Sequence, residues 1–240
     1  GKHVICEKPF TTSVADAERA MAACRAASVK LSIGYRLHFD PFHRELMRLA
    51  REKDFGTLTR LTGANGFRMS RQQWRGQRTL AGGGPLMDMG IYCLQEACMA
   101  ADGAEVVAVT AREHPKTRPE FFVDVEEGLD WTMEFAGGAK AELMTSYNQS
   151  VGRFRAEGEK GWYELAPAFG YGGLKANSSR GPVLIEGPKS QQALQLDDFA
   201  QCVRSGRESV VSGEMGLRDM RIIEAIYAAA RTGKRVELKA

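Results

Sequence analysis

The chain has 240 residues, with 33 Lys+Arg against 30 Asp+Glu for a net charge of +3, 26 glycines, five cysteines and 43% hydrophobic residues. That is an ordinary globular composition, and it excludes collagen-like, disulfide-scaffold and disordered chains. A charge so near zero gives no electrostatic reason to expect nucleic acid or an anionic membrane as partner, which points to a small molecule. Cys6, Cys24, Cys93, Cys98 and Cys202 form no C-x-x-C pair and read as free thiols of a reducing compartment. No apolar run approaches the roughly 18 residues of a membrane span, and no basic segment leading into an apolar one opens the chain.

The first predicted element is a strand at Val4-Ile5-Cys6, which leaves the core at Glu7-Lys8-Pro9. Ser13 and Asp16 resemble a capping box, and Ala17, Ala20, Met21 and Cys24 recur at helical spacing, so a helix is expected over Ala15 to Ala27. Lys30 to Leu37 alternates and predicts a second strand. Strand, helix and strand in this order make a βαβ unit, hence a parallel pair. A second amphipathic helix is expected over Phe42 to Lys53, ending at Gly56.

The texture then changes to strands: Leu58 to Phe67, and after an intervening helix Glu105 to Arg112, Phe122 to Phe135, Ala139 to Tyr147, Arg153 to Glu157 and Trp162 to Leu165. Gly137-Gly138 and Glu159-Lys160-Gly161 have the chemistry of tight turns between neighbours, so the sheet should be mainly antiparallel. Helices are expected at Gln191 to Arg204 and Gly213 to Arg231, then a last strand at Arg235 to Leu238. The fold class is therefore α/β plus α+β: a terminal βαβ remnant over residues 1–45, then an open sheet with helices on one face over 46–240. The other face of that sheet must be covered, or it would leave a large apolar patch in water, which implies a homo-oligomer, dimer or tetramer built through that face.

Lys8 lies at the carboxyl end of the first strand, where ligands of open α/β sheets bind; a solvated lysine beside a turn proline is the plainer alternative. Gly82-Gly83-Gly84-Pro85 precedes a helix start and should leave backbone N–H groups free. Asp88 and Tyr92 are then four residues apart, on one helix face. An ammonium beside a phenol favours its charged form, as a proton-abstracting tyrosine requires, so Tyr92 should face the same cleft as Lys8 with its oxygen within hydrogen-bond or one-water reach. The alternative makes Tyr92 a core aromatic and Asp88 a helix N-terminal charge. His38 and His43 flank Pro41 without a ligand cluster and read as non-metal. No G-x-S-x-G, P-loop or G-x-G-x-x-G occurs.

Glu7-Lys8-Pro9, Gly34-Tyr35-Arg36, Gln73-Trp74-Arg75 and Gly82-Gly83-Gly84 leading to Asp88-Met89-Gly90-Ile91-Tyr92 together resemble the glucose-fructose oxidoreductase/inositol dehydrogenase/MocA family. The resemblance spans essentially the whole chain. Tyr92, where many members carry histidine, points to the sugar-oxidising glucose-fructose oxidoreductase branch. The resemblance implies an N-terminal Rossmann domain for NADP or NAD, whose first roughly 120 residues would precede Gly1, and a substrate-binding and oligomerisation domain. It implies a catalytic set of Lys8, Asp88 and Tyr92. Glu7, Lys8, Tyr35, Trp74 and Arg75 would stand at the cofactor; Lys8, Asp88, Tyr92 and Tyr147 would stand at a sugar. The expected activity is hydride transfer between a sugar and NADP or NAD; the alternative is a non-catalytic substrate-binding and oligomerisation domain. The compartment expected is the cytoplasm, or the periplasm if an upstream segment carries an export signal.

Overall fold

A computed structural model of the chain describes residues 1–188 and 190–238. Strand β1 (Val4–Cys6), helix α1 (Val14–Ala26) and strand β2 (Leu31–Ile33) form the expected unit, with β1 and β2 parallel and Cys6 opposite Ile33. Ser13 accepts the Asp16 N–H at 3.2 Å and donates its hydroxyl to the Asp16 carboxylate at 2.8 Å; such a cap contributes about 1 kcal/mol. β2 is shorter than its alternation suggests. The Ile33 N–H donates to the Val211 carbonyl at 2.8 Å, so the edge of β2 is already paired. The chain then turns at Tyr35 into a 3-10 turn over Arg36–Phe39 that buries Arg36, Leu37 and Phe39.

Helix α2 (Pro41–Arg51) follows, capped by Asp40, whose carboxylate accepts the Phe42 N–H at 2.9 Å. The strands beyond it are β3 (Leu58–Gly66), β4 (Val106–Glu113), β5 (Gly128–Phe135), β6 (Lys140–Ser146), β7 (Val151–Gly158), β8 (Gly161–Leu165), β9 (Ala176–Ser178), β10 (Gly181–Val183) and β11 (Val236–Glu237). They make one sheet in the order β10-β9-β8-β7-β3-β6-β5-β4-β11, antiparallel throughout except for the parallel pair β3 and β6. Gly137 and Gly138, at φ 98° and 94°, turn β5 into β6; an L side chain is strained at such positive φ. The parallel pair places the site: β3 and β6 release their carboxyl ends at the same edge of the sheet.

The helices are α3 (Arg78–Ala81), α4 (Ile91–Ala100), α5 (Gln191–Ser205) and α6 (Gly213–Thr232). α4 is buried between β3, β6 and β7 on one side and α2 on the other. α6 packs on β4 and also on α1, tying the βαβ unit to the sheet. Gly216 permits this approach, since a Cβ there would stand 2.9 Å from Phe10. Among the described residues no helix is long and apolar enough to cross a membrane.

Two expectations are corrected. The strand expected from Phe122 begins only at Gly128, because Glu126 and Glu127 turn buried carboxylates onto backbone N–H groups of Gly84, Leu86, Thr117 and Arg118 instead of continuing the strand. The face of the sheet away from the helices is not apolar: Thr62, Thr110, Arg112, Asp130, Thr132, Glu142 and Arg153 lie along it, with Arg60 paired to Glu142 and Arg112 to Asp130. Strand alternation sends Leu61, Leu143, Trp131 and Phe154 inward to the helices and these polar residues outward.

The helical layer encloses a charge cluster. His43 is fully buried, its Nδ1 3.1 Å from Asp40 and its Nε2 3.4 Å from Glu96, while Gln191 donates to the second Asp40 oxygen at 2.7 Å. Burial pulls the His43 pKa down, but the Glu96 charge and the Asp40 hydrogen bond outweigh it and raise it from 6.5 to about 9. The folded state thus holds a proton the unfolded state releases. Its contribution to stability is complete below pH 6.5 and is lost as pH rises through 9. In urea titrations the stability of the protein is expected to fall across that window by up to about 1.4 kcal/mol per pH unit. His43→Gln should flatten this slope and lower stability at neutral pH by about 3 kcal/mol, since two buried carboxylates lose their cation. Equal slopes in the two proteins would show that His43 carries no extra proton.

Candidate active site

Lys8 follows β1, and its ammonium donates to the Asp88 carbonyl at 2.5 Å and to the Asp88 carboxylate at 3.3 Å. A helical carbonyl is normally taken by its own helix. Here Leu86–Gly90 is a single π-helical turn, in which the Ile91 N–H reaches back to Leu86, and the Asp88 carbonyl within that turn accepts from Lys8. The other Asp88 oxygen accepts from Arg75 Nε at 2.9 Å and from the Tyr147 hydroxyl at 3.1 Å. One carboxylate thereby gathers three side chains from three separate parts of the chain.

The shell around Asp88 explains its position. Asn65, near the end of β3, donates to the Met89 carbonyl at 3.0 Å, and the Thr145 hydroxyl, near the end of β6, is shared between the Asn65 carbonyl at 2.9 Å and the Pro85 carbonyl at 3.1 Å. Glu126 accepts from Gly84 and Leu86, both at 3.1 Å, and from the Tyr227 hydroxyl at 2.9 Å. The glycine run is therefore not an open set of donors. The Gly82 N–H donates to the Arg78 carbonyl and the Gly84 N–H to Glu126, and a Cβ on Gly83 or Gly84 would collide with Tyr227 or Glu126. These glycines serve close packing at the helix start. Glu126, Asn65 and Thr145 were invisible as site residues because nothing in a one-dimensional pattern marks which buried polar groups meet.

Tyr92, four residues after Asp88, is half-buried. The Lys8 ammonium lies 4.6 Å from its ring centroid and the Arg36 guanidinium 4.8 Å. The expected pairing is thus modified: Lys8 bonds Asp88 and sits over the Tyr92 ring. Among the described residues the Tyr92 hydroxyl takes no hydrogen bond. Tyr147 differs. Its ring is sealed among Phe67, Phe122, Met69 and Val125, and burial followed by the Asp88 charge pushes its phenol far above the ordinary range. It remains a protonated donor.

Tyr35 is buried and lines a narrow cavity with Lys8, Leu37, His38, Ile91, Tyr92 and Gln95. Burial raises its phenol well above the usual range. His38 hydrogen-bonds Gln95 at 2.9 Å, and burial lowers its pKa to about 4, so it is neutral at pH 7. Trp74 is half exposed, with Arg75 4.6 Å from its ring, and Glu7 is exposed with its carboxylate on the Lys8 N–H at 3.2 Å. Arg75, Tyr147, Lys8, Asp88 and Tyr92 thus converge, Trp74 and Glu7 border them, and Tyr35 floors them.

Comparison with known proteins gives the same direction. Residues 43–164 match the GFO/IDH/MocA C-terminal domain and residues 1–35 the oxidoreductase family, NAD-binding Rossmann fold. The chain is 28% identical to D-xylose 1-dehydrogenase (NADP(+)) 2 of Haloferax volcanii over 99% of its length and 74% of that protein. It is 26% identical to D-apiose dehydrogenase of Paraburkholderia graminis over 100% of its length and 67% of that protein. The crystal structure of aldose-aldose oxidoreductase from Caulobacter crescentus complexed with glycerol superposes with a TM-score of 0.94 at 42% identity, covering 99% of this chain and 72% of the other. With a Rossmann-type βαβ unit leading into a mainly antiparallel sheet, and family matches to both parts, the chain belongs to the GFO/IDH/MocA oxidoreductase family.

Proposed function

We propose that the protein is an NADP- or NAD-dependent sugar oxidoreductase in which Tyr92 is the acid–base residue. The observation that carries this reading is the contrast between the two phenols beside Asp88. Tyr147 is committed as a donor to a carboxylate, whereas the Tyr92 hydroxyl has no hydrogen-bond partner among the described residues and its ring borders the Lys8 ammonium. When bound, the nicotinamide supplies the hydride acceptor. Tyr92 takes the proton of the sugar hydroxyl as the hydride leaves the same carbon, and in the reverse direction returns it to the carbonyl. Asp88, its oxygens already fixed by Lys8, Arg75 and Tyr147, accepts a second sugar hydroxyl and orients the ring. Lys8 holds Asp88 in place and offers its one remaining N–H to the sugar or the nicotinamide ribose. Glu7, Tyr35, Trp74 and Arg75 form the wall at the nicotinamide end. The sugar-dehydrogenase names of the relatives support an aldose as substrate.

Residues 1–45 belong, in this reading, to the dinucleotide-binding domain and residues 46–240 to the substrate domain. The broad polar face of the sheet, with acidic and basic side chains interspersed, is suited to pairing with itself about a two-fold axis. Five unpaired cysteines support a reducing compartment.

Tyr92→Phe keeps the ring and removes the oxygen, so turnover is expected to fall about a hundred-fold or more with the fold retained. Tyr147→Phe should reduce kcat/KM about ten-fold, the loss of one hydrogen bond to a charged group worth about 1.5 kcal/mol. Aldose oxidation followed by NAD(P)H absorbance measures both. Wild-type turnover in Tyr92→Phe, or a larger loss in Tyr147→Phe, would reverse the assignment. Sedimentation equilibrium at micromolar concentration should give a dimer or tetramer; a monomer throughout would contradict the proposed pairing.

A further inference from the structure

Arg36 ends the Gly34-Tyr35-Arg36 motif and is almost entirely buried. Its guanidinium donates to the Phe169 carbonyl at 2.6 Å, to the Gly170 carbonyl at 3.2 Å and to the Gln191 side-chain oxygen, while its Nε has no hydrogen-bond partner among the described residues. Each of these acceptors is neutral. Gln191 passes the contact on to Asp40 at 2.7 Å, and Asp40 itself pairs with His43 at 3.1 Å. Taking a cation out of water without a carboxylate directly on it is unfavourable, and packing alone would be better served by an apolar side chain. The charge of Arg36 therefore has a use of its own.

The guanidinium carbon is 4.8 Å from the Tyr92 ring centroid and 4.3 Å from that of Tyr171, so two rings enclose it. A phenol oxygen stands about 3 Å from its own ring centroid, which puts the Tyr92 oxygen within about 8 Å of the guanidinium, inside the roughly 10 Å over which charges act even through salt water. The other charges around Tyr92 are paired. Lys8, 4.6 Å from the centroid, lies 3.3 Å from Asp88; Glu96, one turn further along α4, meets His43 at 3.4 Å; Gln95 donates to Asp219 of α6, which Arg218 matches at 2.7 Å. His38 and Tyr35, which line the same cavity, are neutral at pH 7, since burial lowers the histidine to about 4 and raises the phenol well above its usual range. Phe169, from the loop between β8 and β9, brings only a ring, 6.2 Å from that of Tyr92. Of these charges Arg36 is the one without an ion-pair partner among the described residues. We propose that Arg36 is a positioning residue for the proton transfer: it holds a fixed positive charge against Tyr92, favouring the anionic oxygen that receives the sugar proton, and through Phe169 it braces the ring that carries that oxygen. The inference rests on the reading of Tyr92 as the acid–base residue and gives it a second cation besides Lys8.

The test is the pH–rate profile of the native protein, Arg36→Gln and Arg36→Lys with saturating NADP or NAD and an aldose. Arg36→Gln can still donate to the loop carbonyls but has lost the charge. The ascending limb of aldose oxidation and the descending limb of the reverse reduction should therefore both move upward by about one pH unit, the effect of one fixed charge at this distance. Arg36→Lys retains the charge and should keep both limbs near their native positions; Arg36→Met replaces Arg36→Gln in the comparison if the latter does not fold. A purely structural role would lower the plateaus of both variants and leave the limbs in place, which would overturn the proposal. A second readout needs neither cofactor nor sugar. The near-ultraviolet absorbance of tyrosinate, taken as the difference between each protein and its Tyr92→Phe counterpart, follows this phenol alone, and its midpoint should rise by the same amount in Arg36→Gln. An unmoved midpoint, or one moved as far in Arg36→Lys as in Arg36→Gln, would also overturn it. Failure of the underlying reading is distinct: no aldose would then be oxidised by the native protein, while the absorbance titration would still report the coupling of Arg36 to Tyr92.

Discussion

Lys8 spans eighty positions of sequence to bond both the carbonyl and the carboxylate of Asp88, and the arrangement of the site depends on that contact. It joins the carboxyl end of a parallel strand in the βαβ unit to the π turn seated on the large sheet. A lysine and an aspartate on a surface would contribute little, because water screens the pair and ordering two side chains is unfavourable. Here both are largely enclosed, and Asp88 has two further donors in Arg75 and Tyr147. The charges are held by many weak constraints acting on one carboxylate, so the loss of any single one displaces the others.

The large sheet contributes through its one parallel pair. In an all-antiparallel sheet neighbouring strands end at opposite edges. Because β3 and β6 run the same way, Asn65 and Thr145 grip the π turn together while Tyr147, just past β6, reaches Asp88 from the same side. Glu126 then fills the place that an open anion-binding turn would have offered. A fully buried carboxylate is tolerated there because two backbone N–H groups and the Tyr227 hydroxyl satisfy it; burial still raises its pKa.

Much of this was legible in the amino-acid sequence. Period-two and period-3.6 patterns located the βαβ unit, the main strands and the last two helices, since burial on one face leaves those periods behind. Lys8, Asp88, Tyr92, Arg75 and Tyr147 could be named because their motifs resemble a known family, and the structure brings them together. The strand expected through Phe122 was misread because Phe122 and Val125 are buried in a separate small cluster around Tyr147, so apolar residues there do not mean strand. The outward residues Thr110, Arg112, Asp130, Thr132 and Glu142 already alternated with apolar ones, and the inference of an apolar outer face overlooked them. Arg36 was visible as part of a motif, but a buried arginine clamping a distant loop requires contacts over more than 130 positions, and no local pattern carries that information.

The central claim is that a hydrogen leaves a sugar carbon as hydride while Tyr92 receives the hydroxyl proton. The most direct measurement is the fate of isotope: the native protein is supplied with NADP or NAD and an aldose deuterated at the anomeric carbon, and the reduced nicotinamide is analysed by mass spectrometry and NMR. Deuterium carried from the sugar to the nicotinamide ring, with none entering from deuterated water when the sugar is unlabelled, is the predicted result. Solvent-derived label at that position, or oxidation of the sugar with no label on the nicotinamide, would contradict it.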